Sequence, residues 1–569
     1  MVNKMIYIRR LSVIVVSFII PVKVIASGLQ PTEQDKKISN QQLIYQQERL
    51  KATEEVLSSK MPNVSLWSAT KKIKNIEFPQ EEICFPIYKV DLLKREDFPF
   101  FVPLNSLAKQ AEGLCLGSQG LNLLMIELQN QLISFGYITS RVVAPDQDLS
   151  TGIFSLVLLK GTVGKIYYSQ DSDTHSSLAT NIPLKKGDLL NLRSLEQGLE
   201  NLQRVSSSVA NIELVATEKE GETDVIIKRQ QSKYWRLSAS IDDSGTKDTG
   251  RYQGGLTFFL DNPLGLSDSF YLSGGHDLEG KSKYGSRNYL FSYSVPYGYW
   301  LVNASIYGNT YHQKIAGIYD YQYKGRSKYY NFQVSRVIHR NESQKTLLSY
   351  GINTRESRNY LNDIELEIQH RKTTNWQLGL QHSHNINDTN LDIGIWYQKG
   401  VRWFNAEKAP EEHANIGSAL TDIFNFDLSL YAPFNLKEQN FAYSFDLRGQ
   451  LTRKNKLTAP DRFSIGSRWT VRGFDGEEML SADNGWYIRN ELDWQIPKNQ
   501  QLYLGLDAGQ VSGGNSEMLL GKRLIGSALG IRGKQLGIYY DLFAGVPLHK
   551  PDKFETNHLT LGFYLNWTY

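Results

Sequence analysis

Leu559-Thr560-Leu561-Gly562-Phe563-Tyr564-Leu565-Asn566-Trp567-Thr568-Tyr569 closes the chain on a strict two-residue alternation. Leu559, Leu561, Phe563, Leu565, Trp567 and Tyr569 share one face, and Thr560, Gly562, Tyr564, Asn566 and Thr568 share the other. Side chains of a strand point alternately to opposite sides, so the stretch reads as a strand with one apolar and one polar surface. The pattern recurs upstream. Trp235, Leu237, Ala239 and Ile241 alternate with Arg236, Ser238, Ser240 and Asp242, and Trp300, Val302, Ala304 and Ile306 alternate with Leu301, Asn303, Ser305 and Tyr307. A sandwich strand alternates too, so length, leader and chain end decide. The 337 residues of 233–569, divided among 16 strands, leave about 21 for each strand and its loop, which accommodates ~9–11 residues crossing a bilayer plus a turn. A last strand pairing with the first leaves no open edge in lipid. The expected fold of this block is a transmembrane β-barrel of 16 antiparallel strands.

Composition agrees. The 569 residues allow two to four domains. Leu11 to Ile20 is the one long apolar run, short of the ~20 residues a spanning helix needs, which excludes a polytopic helical membrane protein. Tyr 32, Phe 24, Trp 10 and Gly 45 against Met 6 and Cys 2 favour many short strands. Four of the 63 basic residues (Lys4, Arg9, Arg10, Lys23) lie in the first 26, leaving a balanced remainder against 59 acids. No nucleic-acid partner is indicated.

Residues 1–26, with basic residues before an apolar run and Val24-Ile25-Ala26 before Ser27, read as a signal peptide cut after Ala26. Export to an oxidising compartment makes Cys84 and Cys115 a disulfide rather than a metal site. Residues 27–60 are polar, with sparse Ile38, Leu43, Ile44, Leu50 and Leu57, and read as a solvated helix without a firm hydrophobic face. Residues 61–81 read as a linker. Residues 82–160 form an α+β module: Tyr88, Val90 and Leu92 alternate, Leu121, Leu124, Met125, Leu128, Leu132 and Phe135 recur at helical spacing up to Gly136, and strands Tyr137 to Val143 and Gly152 to Leu159 follow. A second module, 161–232, has a strand at Lys165 to Ser169, a helix carrying Leu195, Leu199 and Leu202, and strands near Asn211 to Ala216 and Asp224 to Lys228.

Few segments carry chemistry. Gly275-His276-Asp277-Leu278-Glu279-Gly280-Lys281-Ser282 formally fits a phosphate-binding loop, but its flanks alternate as strands and no helix follows, so no nucleotide is expected. His382 and His384 share a strand face without a nearby third ligand. No Gly-x-Ser-x-Gly elbow or His-Glu-x-x-His helix occurs, so no catalytic, metal or cofactor-binding residue is expected, and an enzyme is disfavoured. The informative segment is Gly466-Ser467-Arg468-Trp469-Thr470-Val471-Arg472-Gly473-Phe474-Asp475-Gly476-Glu477, a long connection with an Arg beside a Gly. Downstream, Leu502, Leu504, Leu506 and Ala508 face lipid by parity. Asp507 then faces the lumen, with Gly505 and Gly509 leaving room beside it. A carboxylate in a narrow lumen is better kept when paired, and a bidentate Arg is its natural mate.

With these segments in view, the chain resembles the two-partner secretion transporters, the haemolysin-activator and contact-dependent-inhibition type of outer-membrane exporter. The resemblance rests on Cys84-Phe85-Pro86-Ile87, Cys115-Leu116-Gly117, Gly136-Tyr137-Ile138 with Pro145 to Leu149, Gly250 to Gly255, Asp261-Asn262-Pro263-Leu264-Gly265, Ser294-Val295-Pro296-Tyr297-Gly298 and the tip Val471-Arg472-Gly473-Phe474. It implies an N-terminal helix able to plug the pore, two periplasmic POTRA domains at 82–160 and 161–232, and a 16-stranded barrel at 233–569. It further implies an outer-membrane monomer in contact with lipid that passes an unfolded secreted exoprotein, bearing an N-terminal secretion domain, to the cell surface without ATP. By the same comparison Arg472 and Asp507 match the pair that fixes the lumenal loop. The rivals are a barrel-assembly insertase and a passive porin. Two POTRA domains with an N-terminal helix speak against the first, and 150 residues of docking modules against the second.

Overall fold

The computed structural model describes residues 33–57, Val64, Leu66 and 75–569, apart from Ser282, 316–320, 454–455, Lys498 and Asn515. The expected signal peptide and most of the linker lie outside the described residues. The barrel begins with Trp235–Asp242 (β1), Gln253–Asp261 (β2), Ser269–Asp277 (β3), Tyr284–Tyr297 (β4), Trp300–Ile315 (β5), Tyr321–Arg340 (β6), Gln344–Leu361 (β7) and Arg371–Ile386 (β8). It continues with Thr389–Val401 (β9), Asp422–Leu436 (β10), Gln439–Thr452 (β11), Asn484–Ile496 (β12), Gln500–Ser512 (β13), Arg523–Gln535 (β14), Ile538–His549 (β15) and Thr560–Thr568 (β16). Each of these 16 strands runs antiparallel to its neighbours, and β16 closes on β1 in the register Tyr564↔Asp242 to Thr568↔Ser238. Closure pairs the backbone of both terminal strands, the condition that hydrocarbon imposes on any sheet. Leu504 and Leu506 point outward and Tyr503 and Asp507 inward, as alternation requires. Gly275 to Asp277 is the end of β3, and Leu278 to Lys281 belong to the turn that follows it, with no helix. His382 accepts from or donates to Thr346 Oγ1 at 2.9 Å, and no group of metal-ligating residues occurs among the described residues.

The first α+β module packs Ser118–Ser134 (α3) on a sheet ordered Lys89–Leu93, Ile153–Leu159, Arg141–Val143, with Leu124, Leu128, Leu132, Leu156 and Leu158 fully buried between them. The strand expected from Tyr137 starts only at Arg141. Gly136 adopts φ 92°, and the Tyr137 N–H donates to Leu132 O at 2.9 Å, so the helix end folds back and turns the Tyr137 ring into the core. At the other helix end Glu81 accepts from the N–H groups of Gly117, Gln119 and Gly120 at 2.9, 2.9 and 2.8 Å. Desolvation opposes the effect, but these backbone bonds hold the Glu81 carboxyl below the usual carboxylate range. Cys84 and Cys115 are joined.

The second module packs Leu192–Leu202 (α5) on Thr162–Tyr168, Glu222–Gln231 and Ser208–Ala216. Its first strand begins three residues before the expected Lys165, because Thr162 and Val163 already pair with Glu222 and Thr223 ahead of a bulge. A short helix, Leu178–Asn181 (α4), escaped the sequence reading. This module grips the periplasmic turns of the barrel. Gly298 N donates to Thr180 O at 2.7 Å, Asn201 Nδ2 donates to Gly298 O at 2.8 Å, and Asn262 Nδ2 donates to His175 O at 2.5 Å. Buried Glu200 receives Arg340 at 2.6 Å and Lys345 at 2.8 Å. Arg340 also donates to Val64 O at 2.7 Å, and Glu196 accepts from Leu66 N at 3.0 Å, so the chain leaving the N-terminal helix passes through this seam.

That helix, Glu33–Leu57 (α1), corrects an expectation. It is not solvated: Gln42, Leu43, Ile44, Tyr45, Gln46 and Leu50 are buried inside the barrel. The sparse apolar positions misled the sequence reading, since inside the lumen Leu43, Ile44, Tyr45 and Leu50 are buried together with Gln42 and Gln46 and no continuous apolar face is needed. Reduction of Cys84–Cys115, whose sequence separation is 31, is expected to destabilise the first module by about 3–4 kcal/mol on the loop-entropy scale. Hydrogen exchange across α3 with and without reductant measures this; unchanged protection would contradict it.

Candidate functional site: the lumenal loop and its seat

Between β11 and β12 the chain folds back into the lumen through a short hairpin, Phe463–Ile465 paired with Leu480–Ala482. Gly466 at φ 115° and Gly473 at φ 102° make the sharp bends that carry residues 466–474 to the wall. Val471 and Phe474 are buried in a cluster with Ile465, Leu480, Tyr487, Val511, Leu524 and Phe554. Phe474 meets Phe554 edge-on at 5.8 Å. These apolar flanks fix the backbone on either side of Arg472.

Arg472 is almost wholly enclosed and Asp507 is 0% exposed. Arg472 Nε donates to Asp507 Oδ2 at 2.8 Å, Nη2 to Oδ1 at 2.8 Å, and the Arg472 backbone N–H to Oδ2 at 2.9 Å. The carboxylate is thus held by a planar fork and by the loop backbone at once. Nη1 of Arg472 donates to Glu491, and Nη2 also reaches Asn490 O at 3.2 Å. Glu491 in turn pairs with Arg532 at 2.8 Å, and Arg532 with Asp493 at 2.6 Å. Charges alternate along Asp507, Arg472, Glu491, Arg532 and Asp493, so each buried ion has a counter-ion.

Small residues of the wall admit the loop. A side chain at Gly505 would collide with the Arg472 guanidinium, and one at Gly526 with the Arg472 carbonyl. Gly545 lies against Gly473, where a methyl would come within 2.9 Å of the Gly473 Cα. Gly509 leaves space for Ile465 and Val471, each 3.0 Å from where its Cβ would stand. The sequence reading placed Gly505, Asp507 and Gly509 beside the tip. It missed Glu491, Arg532, Gly526 and Gly545. Parity along β12, where Arg489, Glu491 and Asp493 alternate with Ile488, Leu492 and Trp494, was the available signal.

The helix α1 bears on the same loop. Glu48 accepts from Ser467 Oγ at 2.5 Å and from Ser464, and the Tyr45 and Trp469 rings lie 5.3 Å apart. Other contacts bind α1 to the wall: Arg49 to Gln253 at 2.6 Å and Glu55 to Arg448 at 2.5 Å. Loop and helix together occupy the passage that the sixteen strands enclose.

The family described as Haemolysin secretion/activation protein ShlB/FhaC/HecB matches residues 221–533, a POTRA domain of ShlB type matches 85–161, and a further POTRA domain matches 162–216. The chain is 34% identical to the outer membrane transporter CdiB-2 of Burkholderia pseudomallei over 86% of this chain and 87% of the relative. It is 27% identical to the hemolysin transporter protein HpmB of Proteus mirabilis, over 83% of each. The solved structure of CdiB from Acinetobacter baumannii superposes with a TM-score of 0.83 at 32% identity, covering 94% of this chain and 99% of that one. These matches favour neither an insertase nor a passive porin. The barrel therefore lies in the outer membrane with its N-terminal domains in the periplasm, and the chain belongs to the ShlB/FhaC/HecB family of two-partner secretion outer-membrane transporters.

Proposed function

We propose that this transporter recognises a large unfolded exoprotein through its POTRA domains and conducts it to the cell surface without nucleotide hydrolysis, as a monomer. The curated relatives carry contact-dependent-inhibition and haemolysin transporter names, which makes the cargo a toxin, adhesin or haemolysin type of exoprotein. Ser208–Ala216 and Lys89–Leu93 are edge strands, each with one side not paired to another strand among the described residues, and an extended segment can join there by strand addition. Folding of the emerged chain outside biases movement outward, since a state stabilised on one side opposes return. The export leader cut after Ala26 and the division into helix, linker, two POTRA domains and barrel at the bounds given above belong to the same reading.

The observation that carries the reading is that one buried ion pair, Arg472 with Asp507, fixes a loop in a lumen that α1 also fills. In this proposal Arg472, Gly473 and the flanking Val471 and Phe474 are the lock, and Asp507, Gly505 and Gly509 its seat. Conduction requires α1 to leave, and Glu48 couples that departure to the loop.

Deleting this gene beside a candidate exoprotein gene is expected to abolish appearance of that exoprotein in the medium; unchanged export discards the reading. Arg472→Ala is expected to lower secretion sharply while the barrel still inserts and shows heat-modifiable mobility. Asp507→Asn should act similarly, and the double variant should lose no more than the worse single, the non-additivity of a coupled pair. Normal secretion by an inserted Arg472→Ala refutes the lock. Glu48→Gln should raise single-channel open probability in planar bilayers, and an unaltered trace would separate helix from loop.

A further inference from the structure

The barrel carries a cationic patch on its lipid side that export does not use. Arg287 on β4, Thr310 on β5, Arg326 on β6 and Arg358 on β7 are successive cross-strand partners, so they form one row around the outside wall. The next row toward the periplasm runs Tyr289, Gly308, Lys328, Glu356 and Lys372. The row after that is Phe291, Ile306 and Tyr330, continued by Thr354 and Thr374, and it is followed by Ala304, Phe332, Ile352 and Trp376. Five cations thus stand directly on top of an apolar band.

Their side is set by chain direction. Arg326 and Lys328 lie toward the start of β6, remote from the turn after Arg340 that the second POTRA domain grips, so the patch is at the extracellular end. Arg336, stacked on Trp300, is the outward cation at the periplasmic end of β6, and from Arg326 to Arg336 is a span of ~11 residues, the length that crosses a hydrocarbon core. Lys328 and Arg326 then sit where headgroups begin.

The patch has too few counter-ions of its own. Arg358 is engaged by Glu356 at 2.7 Å and by Glu365 at 3.6 Å, and Lys324 by Asp363 at 2.6 Å, whereas Arg287, Arg326, Lys328 and Lys372 have no carboxylate within ion-pair distance among the described residues. Arg326 directly opposes Arg358, whose own charge is taken up by Glu356 and Glu365, so Arg326 is left without an anion. At the extracellular ends of β9 and β10, by comparison, Lys399 pairs with Asp422 at 3.3 Å, and the next outward positions are Phe424 and Leu451.

We propose that this face binds the phosphorylated headgroup of an outer-leaflet glycolipid, its acyl chains on the Phe291, Ile306, Tyr330 and Phe332 rows and its phosphates among Arg287, Arg326 and Lys328. Arginine forks suit phosphate, and a ligand touching both cations and the apolar band must lie in the leaflet.

The test uses the full chain in detergent. A bis-phosphorylated outer-membrane glycolipid, the same lipid enzymatically dephosphorylated, and inorganic phosphate are titrated against it, with bound lipid read by native mass spectrometry. Tight binding of the phosphorylated form alone is expected, as is loss of at least tenfold in Arg287→Gln/Arg326→Gln/Lys328→Gln, each cation being worth roughly fivefold near an anionic surface. Lys399→Gln, outside the patch, should bind as the parent does. Equal binding of the dephosphorylated lipid, or full retention by the triple variant, overturns the proposal; competition by millimolar phosphate without lipid binding reassigns the patch to a soluble anion. Should the triple variant fail to assemble, the comparison of the two lipids on the parent chain decides.

Discussion

Hydrocarbon offers no partner to a backbone N–H or carbonyl, and this demand shapes everything else in the molecule. A sheet that satisfies it must close, and β16 meets β1 through a register that ends at Thr568↔Ser238, with Tyr569 N donating onward to Leu237 O at 2.9 Å. Closure at sixteen strands leaves a lumen too wide for wall side chains alone to fill. Two further pieces of chain occupy it, α1 from the periplasmic side and residues 456–483 from the extracellular side. Each meets the wall through a mixed surface: Arg472 beside Val471 and Phe474 in the loop, and Arg49 beside Leu50 in α1, Leu50 lying against Phe259, Tyr271, Leu290 and Tyr307.

A polar, enclosed lumen makes every charge in it a liability unless paired. The chain Asp507, Arg472, Glu491, Arg532, Asp493 meets that condition with an ion pair at each link, and the glycines at 505, 526 and 545 bring the loop close enough for Arg472 to take part. Because the cost of an unpaired member is high, the loop has one well-defined seat. By contrast, Glu48 of α1 is bound through two serine hydroxyls. Neutral donors make a weaker hold than an ion pair, so the link from Glu48 to the loop is weaker than the loop's own seat at Asp507.

The periplasmic side is tied down differently. The Asn262 and Gly298 turns are engaged by backbone and amide bonds, and the Glu200, Arg340 and Lys345 cluster sits buried between the second POTRA domain and the β6–β7 turn. The same Arg340 holds the carbonyl of Val64. Any force on the chain leaving α1 is therefore felt where the periplasmic domain meets the barrel.

The sequence by itself determined the elements whose physics is local or strictly periodic. Alternation fixed the inward direction of Asp507 and the lipid direction of Leu504 and Leu506, because parity in a strand admits no intermediate answer. Helical spacing gave α3 and α5. What only the tertiary structure decided were matters of who stands opposite whom. Gly526 and Gly545 read as ordinary strand glycines until the loop is laid against them, and Glu491 is one inward carboxylate among several until Arg472 reaches it. The polar helix α1 read as solvated because sequence cannot say whether polar surface faces water or a polar lumen. Register between distant strands, the source of the Arg287, Arg326 and Arg358 row, is likewise set by pairing around the barrel and leaves no mark in the order of residues.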